Sequence, residues 1–271
     1  MIFAAGLGTR LRPLTDTMPK ALVPVAGIPL LGRVVTTLRD AGCDRIIVNV
    51  HHFPDCIVDY LHRNDNFGID IRISDETEKL LDTGGGLKKA APLFRRDEPI
   101  LIHNVDIISN ARIERLYEYA SKMFSHNTED GTADADALLL VSRRETSRYL
   151  LFDNDMSLIG RMNIKTGELS GPIAKHATPL SPCGQSACND IPQLSSAKRF
   201  AFSGIHIVSP RLIDMMGDMP DRFGIIDFYL KMCVSTRIKG LMVNDLKLLD
   251  VGKTDTLADA ERFLKEIQST L

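Results

Sequence analysis

No apolar run in the sequence approaches the ~20 residues that a membrane-spanning helix needs. The opening Met1-Ile2-Phe3-Ala4-Ala5-Gly6 also lacks the basic start and long apolar stretch of a secretory signal. The expected location is the cytoplasm, with no membrane partner. An excess of basic charge is missing too: 33 Lys plus Arg stand against 35 Asp plus Glu, a net charge of −2. Bulk electrostatics therefore give no reason to expect nucleic acid, and any anionic ligand has to be met by local charge. Cysteine is sparse and odd in number (Cys43, Cys56, Cys183, Cys188 and Cys233), which reads as free thiols and not as a disulfide framework. Cys183 and Cys188 with the nearby His176 match no zinc spacing. There is no internal repeat.

What is present fits one elaborated α/β domain: 271 residues, 44% apolar and 25% charged. In the first half strand and helix signals alternate. Strands are predicted at Ile2–Ala5, Arg45–Val50, Ile69–Ile73, Pro99–His103 and Asp136–Val141. Helices are predicted at Pro29–Ala41, Pro54–His62, Leu87–Phe94 and Ala111–Phe124. Such alternation implies a mostly parallel sheet with helices on both faces. Only four residues precede Gly6, which leaves open that a few residues ahead of Met1 are missing. The second half begins with a hairpin, Tyr149–Asp153 and Ser157–Arg161. A long loop over 171–196 follows, then a strand at Arg199–Val208. A helix within Pro220–Cys233, two short strands within Ile238–Leu249 and a closing amphipathic helix at Thr254–Gln268 complete the chain. Residues 1–145 are expected to form a nucleotide-binding half of the domain and 146–271 a second half carrying the loop insertion.

The chemistry-bearing motifs cluster at strand ends. Ala4-Ala5-Gly6-Leu7-Gly8-Thr9-Arg10 follows the first strand, and glycines there let backbone amides approach a phosphate chain. Arg10 adds a bidentate cation. A P-loop is excluded, and so is a dinucleotide fingerprint, whose third glycine is replaced by Leu11; that counts against a nicotinamide-binding oxidoreductase. Lys20 lies ten residues on, in a connection stiffened by Pro13, Pro19 and Pro24. It either turns back to the same anion or is a solvated surface lysine. Asp82-Thr83-Gly84-Gly85-Gly86 is read as a loop ahead of a helix, with Thr83 as its cap and more glycine than a cap requires. Asp106 ends a buried strand, where α/β sheets bind ligands, but it could instead cap the helix from Ala111. His51-His52 faces opposite ways on a strand, which argues against joint ligation.

The combined run Ala4–Leu11, Pro13-Leu14-Thr15 and Pro19-Lys20-Ala21-Leu22-Val23-Pro24-Val25 resembles the opening signature of the sugar-phosphate nucleotidyltransferases. The Thr-Gly-Gly-Gly run resembles the N-acetylmuramate 1-phosphate uridylyltransferase and mannose 1-phosphate guanylyltransferase-like branch. The resemblance implies a Rossmann-like, mixed but mainly parallel sheet with helices on both faces and a small appended sheet. It further implies transfer of a nucleoside monophosphate from an NTP to a sugar 1-phosphate, with Mg²⁺ as cofactor and a homo-oligomer left open. On the matching positions it implies nucleotide binding by Ala4, Ala5, Gly6, Gly8, Thr9, Gly84 and Gly85, and catalytic roles for Arg10 and Lys20. Asp106 and Asp250 are implied metal ligands, the latter in Leu249-Asp250-Val251-Gly252. Asn104 and Gly204 are implied on the sugar side, Gly204 leaving room for a ring. Two departures stand out. Val105 occupies a position where the family usually has glycine, and no Glu-Lys-Pro element is present, since neither Lys165 nor Lys175 maps onto it. UTP with N-acetylmuramate 1-phosphate is the favoured pair. GTP with mannose 1-phosphate, glucose 1-phosphate as acceptor, and an inactive sugar-nucleotide-binding subunit are the alternatives.

Overall fold

The computed structural model describes residues 1–125, 133–176, 196–252 and 254–268. In chain order the strands are β1 (Ile2–Phe3), β2 (Pro24–Val25), β3 (Ile28–Pro29), β4 (Arg45–Val50), β5 (Asp70–Asp75), β6 (Ile100–Asn104) and β7 (Ile107–Ser109). They continue as β8 (Ala137–Ser142), β9 (Arg148–Phe152), β10 (Leu158–Asn163), β11 (Leu169–Ser170), β12 (Lys198–Val208), β13 (Ile238–Met242) and β14 (Leu248–Asp250). The helices are α1 (Leu30–Asp40), α2 (Pro54–Arg63), α3 (Asp82–Ala90), α4 (Ile113–Ser125), α5 (Pro210–Asp214), α6 (Ile225–Met232) and α7 (Thr254–Gln268). Among the described residues no helix is long and apolar enough to cross a membrane.

One mixed sheet dominates, in the order β11-β10-β9-β12-β6-β1-β4-β5, with β8 joined to β12 and β13 to β8. Its centre, β6-β1-β4-β5, is parallel throughout. β12 enters antiparallel to β6 and carries the hairpin β9/β10 with it. The hairpin extends the main sheet. Two small antiparallel ladders stand apart from it, β2/β3 and β7/β14, the latter with Asp250 opposite Ile107.

Two-residue alternation builds both faces of the sheet. Ile46, Val48 and Val50 of β4 join one apolar layer and Ile47 the other; Leu138 and Leu140 of β8 divide from Ala137, Leu139 and Val141 in the same way. The first layer is closed by α1, through Leu30, Leu31, Val34, Val35 and Leu38, together with α2, α4 and α7. Each fully buried aliphatic there contributes about 1.5–3 kcal/mol relative to exposure. The second layer is closed by α3, α5 and α6. In β5 Asp70 and Arg72 are exposed on one face, while Ile71 and Ile73 on the other pack against the first layer.

One expectation is corrected. The helix expected from Leu87 begins at Asp82, so the glycine run lies inside α3 and not in a loop ahead of it; residues 91–93 form only a 3-10 turn. The helix expected within Pro220–Cys233 is present, over Ile225–Met232. Most of the loop read over 171–196, with Cys183 and Cys188, lies outside the described residues; its start is a 3-10 turn, Pro172–His176.

Candidate active site

The C-terminal ends of β1, β4 and β6 meet where the chain, having run outward from β1 to β4 and β5, returns to the other side of β1 as β6. Such a switch point is where open α/β sheets bind ligands. A pocket of about 300 Å³ occupies it, lined by Ala4, Ala5 and Gly6 after β1, by Asn104 and Asp106 at the end of β6, and by Asp82 and Thr83 of α3. Beneath it runs a buried polar network that the sequence reading missed. The backbone N–H of Ala4 donates to Asn49 Oδ1 (2.7 Å), Asn49 Nδ2 donates to Glu76 Oε1 (2.7 Å), and the N–H of Leu81 donates to Glu76 Oε2 (3.1 Å). An amide inside the aliphatic run Ile46–Val50 was the available signal, because a polar side chain in a buried strand needs a partner.

Lys20 is not a solvated lysine. Its Nζ donates to Asp106 Oδ2, and the two side chains are only 11% and 14% exposed. The glycine-rich loop makes this approach possible. Gly8 sits at φ +64°, and a Cβ there would lie 2.9 Å from Lys20 Cβ and 2.8 Å from Thr15 Cγ2. Thr15 Oγ1 donates to the Gly8 carbonyl (2.9 Å), and Leu11 N–H to the same oxygen (2.8 Å), which closes a 3-10 turn over Thr9–Leu11. Gly6 has nothing within 4 Å of its Cβ position and is exposed.

Asp250 is brought to Asp106 by the β7/β14 ladder and by the bond from Val251 N–H to the Asp106 carbonyl (2.8 Å). Asp106 therefore belongs to this junction and not to the start of α4. Burial and the neighbouring Asp106 carboxylate hold the Asp250 carboxyl above the usual carboxylate range, against the opposing pull of Lys20, Arg10 and Arg144. Asp250 Oδ1 is buried and accepts no hydrogen bond among the described residues. Gly252 lets the fourth group, Arg10, in: a Cβ there would stand 2.7 Å from Asp250 Oδ1 and 2.8 Å from Arg10 Nη2. Arg10, Lys20, Asp106 and Asp250, predicted from separate motifs, thus meet at one place. Two carboxylates on a paired turn, one with an unpartnered oxygen, suit a hard divalent cation that takes its remaining ligands from phosphate and water. No group of three or more acidic, histidine or cysteine side chains that could hold a metal occurs among the described residues.

The glycine clearances expected on the base and sugar sides are corrected. Gly84 and Gly85 are buried, and both N–H groups donate to the Phe223 carbonyl (2.9 and 3.2 Å), so neither amide is available to a base edge. A Cβ on Gly84 would meet the Phe223 ring at 2.3 Å, and one on Gly85 the Asp221 carbonyl oxygen at 2.0 Å. The triplet exists for close packing of α3 on residues 221–223 and on Glu76, whose Oε1 would lie 2.5 Å from a Cβ on Gly86. Thr83 does not cap α3; its Oγ1 accepts from the N–H of Ile225 (2.9 Å). Gly204, at φ +81° in the irregular stretch of β12 between Phe202 and His206, makes room for the Asn104 amide (2.8 Å from its Cβ position), not for an open ring site.

The remaining candidates lie elsewhere. His51 and His52 lie past the end of β4 and not on a strand; His51 Nδ1 meets the Glu76 carbonyl (2.7 Å) and His52 Nε2 the Thr15 carbonyl (3.3 Å), on different segments. Cys43, Cys56 and Cys233 are free thiols. A cavity of about 350 Å³ opens at the opposite end of the strands, lined by Cys43, Arg95 and Tyr117, away from the carboxylate pair.

Residues 1–149 match the family described as nucleotidyl transferase. An N-acetylmuramate alpha-1-phosphate uridylyltransferase of Caulobacter vibrioides is 44% identical over 110 residues, 40% of this chain and 45% of the relative. A mannose-1-phosphate guanyltransferase of Pichia angusta is 32% identical over 176 residues, 63% of this chain and 46% of the relative. The chain thus spans about half the length of the curated relatives it matches. Among solved structures, HddC from Yersinia pseudotuberculosis complexed with GMP-PN superposes with a TM-score of 0.69 at 20% identity, covering 97% of each chain. The inositol-1-phosphate CTP transferase from T. maritima gives 0.69 at 13% identity, covering 98% and 94%. At these identities the likeness is one of fold.

Proposed function

The chain belongs to the nucleotidyl transferase family, and from that premise we propose that it transfers a nucleoside monophosphate from an NTP to a sugar 1-phosphate and releases pyrophosphate. The observation that carries this reading is the convergence of Asp106 and Asp250 with Lys20 and Arg10 at the mouth of the switch-point pocket. The reaction is in-line attack by a phosphate oxygen of the sugar 1-phosphate on the α-phosphorus. One P–O bond forms there and the bond to the β-phosphate bridging oxygen breaks, the electron pair leaving with pyrophosphate. A phosphate monoester is largely dianionic near pH 7, its second pKa being about 6, so the nucleophile needs no general base. The cost is electrostatic: two anions must be brought together and charge on the leaving group met, which positioning and fixed cations supply.

In this reading the amides of Ala5 and Gly6 and the turn from Gly8 to Thr9 hold the NTP phosphates, while Ala4, its own N–H taken by Asn49, lines the pocket wall. Arg10 forks onto phosphate oxygens, and Lys20 meets the charge that develops on the departing group. Asp106 and Asp250 would hold Mg²⁺, which when bound neutralises phosphate oxygens and helps orient the triphosphate. Asn104, seated against Gly204, faces the sugar. Residues 1–145 then carry the nucleotide and 146–271 the acceptor side of one domain. UTP with N-acetylmuramate 1-phosphate is the favoured pair, supported by the identity to the uridylyltransferase. GTP with mannose 1-phosphate is second, supported by the longer match to the guanyltransferase.

A pyrophosphate-release screen of four NTPs against N-acetylmuramate, mannose and glucose 1-phosphates with Mg²⁺ tests the proposal. Release that requires both substrates supports it. Release from NTP alone, unchanged by any sugar 1-phosphate, overturns it.

A further inference from the structure

Asn49, on β4, is 3% exposed and Glu76, just past β5, is fully buried, yet both border the switch-point pocket. The bonds from Ala4 N–H to Asn49 Oδ1, from Asn49 Nδ2 to Glu76 Oε1 and from Leu81 N–H to Glu76 Oε2 form one chain. The chain has a single solution for the Asn49 amide. A flipped amide would set Nδ2 against the Ala4 N–H and Oδ1 against the Glu76 carboxylate, two repulsive contacts. Glu76 is pinned in its turn: its N–H donates to the Val50 carbonyl (2.8 Å), and its own carbonyl accepts from Lys79 N–H (3.0 Å). Gly86 leaves the room, since a Cβ there would lie 2.5 Å from Glu76 Oε1 and 3.0 Å from Asn49 Nδ2.

The effect falls on the residues after β1. The Phe3 carbonyl accepts from Val105 N–H (3.2 Å) and the Ala4 N–H is taken by Asn49, so the peptide joining Phe3 to Ala4 is held at both ends. The next two amides, of Ala5 and Gly6, form no hydrogen bond among the described residues, although Ala5 is buried. A buried amide without a partner is costly, and Ala5 and Gly6 both line the pocket. At the far end of the chain Leu81 N–H stands at the start of α3, whose Asp82 and Thr83 line the same pocket.

We infer that Asn49 and Glu76 are positioning residues for the NTP, a role that rests on the transfer reading above. By drawing the Ala4 N–H into the sheet they leave the Ala5 and Gly6 amides turned to the triphosphate. By holding Leu81 N–H they fix the distance from that loop to the start of α3. Neither side chain touches the nucleotide. A small misplacement of groups that hold a substrate is expensive, which is what the network prevents.

The network has one isosteric counterpart. In the double variant Asn49→Asp/Glu76→Gln the new carboxylate accepts from Ala4 N–H and from the new amide, whose oxygen accepts from Leu81 N–H. All three bonds return and the net charge is unchanged. Each single substitution is frustrated: Asn49→Asp sets two carboxylates face to face, and Glu76→Gln leaves one N–H against another however the amides turn. The test is calorimetric binding of UTP and GTP to the full chain, with thermal midpoints, and the KM for N-acetylmuramate and mannose 1-phosphates at saturating NTP. Each single variant is expected to weaken NTP binding by about 10- to 100-fold while the sugar 1-phosphate KM stays within about twofold. The double variant is expected to bind NTP within about threefold of wild type. If neither single variant folds, Asn49→Ala, which removes the amide without a new clash, carries the comparison. Wild-type NTP affinity in a folded single variant overturns the positioning role. So does a folded double variant as weak as the singles, which would place one of the two side chains on the NTP itself, and so does a KM for sugar 1-phosphate that rises as much as the NTP affinity falls. These three results leave the transfer reading standing. Absence of UTP and GTP binding to wild type overturns both.

Discussion

Lys20 and Asp106 are 86 positions apart in the chain, yet the lysine ammonium donates directly to the aspartate carboxylate in a site nearly closed to solvent. The pair forms because Gly8 has no side chain to hold the Lys20 segment away. If Lys20 meets charge on the leaving pyrophosphate, Lys20→Ala should lower kcat by about 100-fold with a much smaller rise in KM for NTP. Steady-state kinetics check this. A change confined to KM would assign Lys20 to ground-state binding alone.

Gly252 admits the Arg10 guanidinium beside Asp250, and the atoms a Cβ would strike are the free ends of those two side chains. Gly252→Ala should therefore separate function from stability. Arg10 and Asp250 can swing aside, so the thermal midpoint should stay within about 2 °C of wild type, a surface-scale effect. Turnover should fall by about tenfold or more, because a small misplacement of catalytic groups is expensive. Unchanged turnover would show that the Arg10–Asp250 approach is incidental.

Gly85 is the opposite case. Its Cβ position is 2.0 Å from the backbone oxygen of Asp221, and backbone cannot rotate away. Gly85→Ala should force α3 off residues 221–223 and cost about 1–3 kcal/mol of stability, as overpacking does. Denaturant unfolding measures it. A variant of wild-type stability that has lost NTP binding would restore a ligand-clearance role.

Acid should destabilise the fold through two buried histidines. Burial lowers His206 to about 3 and His103 to about 4, against an ordinary value of 6.5. Between those values and 6.5 the unfolded chain binds more protons than the folded one, so stability rises with pH and is lost as pH falls from 6.5 towards 4. His206 is ringed by Phe3, Phe202 and Tyr229, and neither ring nitrogen has a hydrogen-bond partner among the described residues. His206→Phe should thus fold and show a shallower fall in thermal midpoint between pH 6.5 and 4.5. The same slope in both proteins would contradict a neutral buried His206.

Much of this was legible in the residues. Arg45–Val50 is β4 to the residue because a β-branched run in a buried parallel strand carries its own signal. Thr254–Gln268 is α7 because its apolar spacing has the helical period. The four charged residues of the site stood in recognisable motifs. The glycine triplet was misread because glycine has poor helix propensity; what decides Gly84 and Gly85 is contact with Phe223 and Asp221, far away in sequence. The Asn49–Glu76 network belongs to no motif and exists only in three dimensions.

The central claim is that the α-phosphoryl group of an NTP ends on a sugar phosphate. It is tested most directly by incubating the protein with Mg²⁺, a sugar 1-phosphate and NTP labelled at the α-phosphorus, and locating the label. The account predicts label in a nucleoside-diphosphate sugar and unlabelled pyrophosphate in equal amount, with both lost in Asp250→Asn. Label found in free nucleoside monophosphate, or remaining in NTP with every sugar 1-phosphate offered, would contradict it.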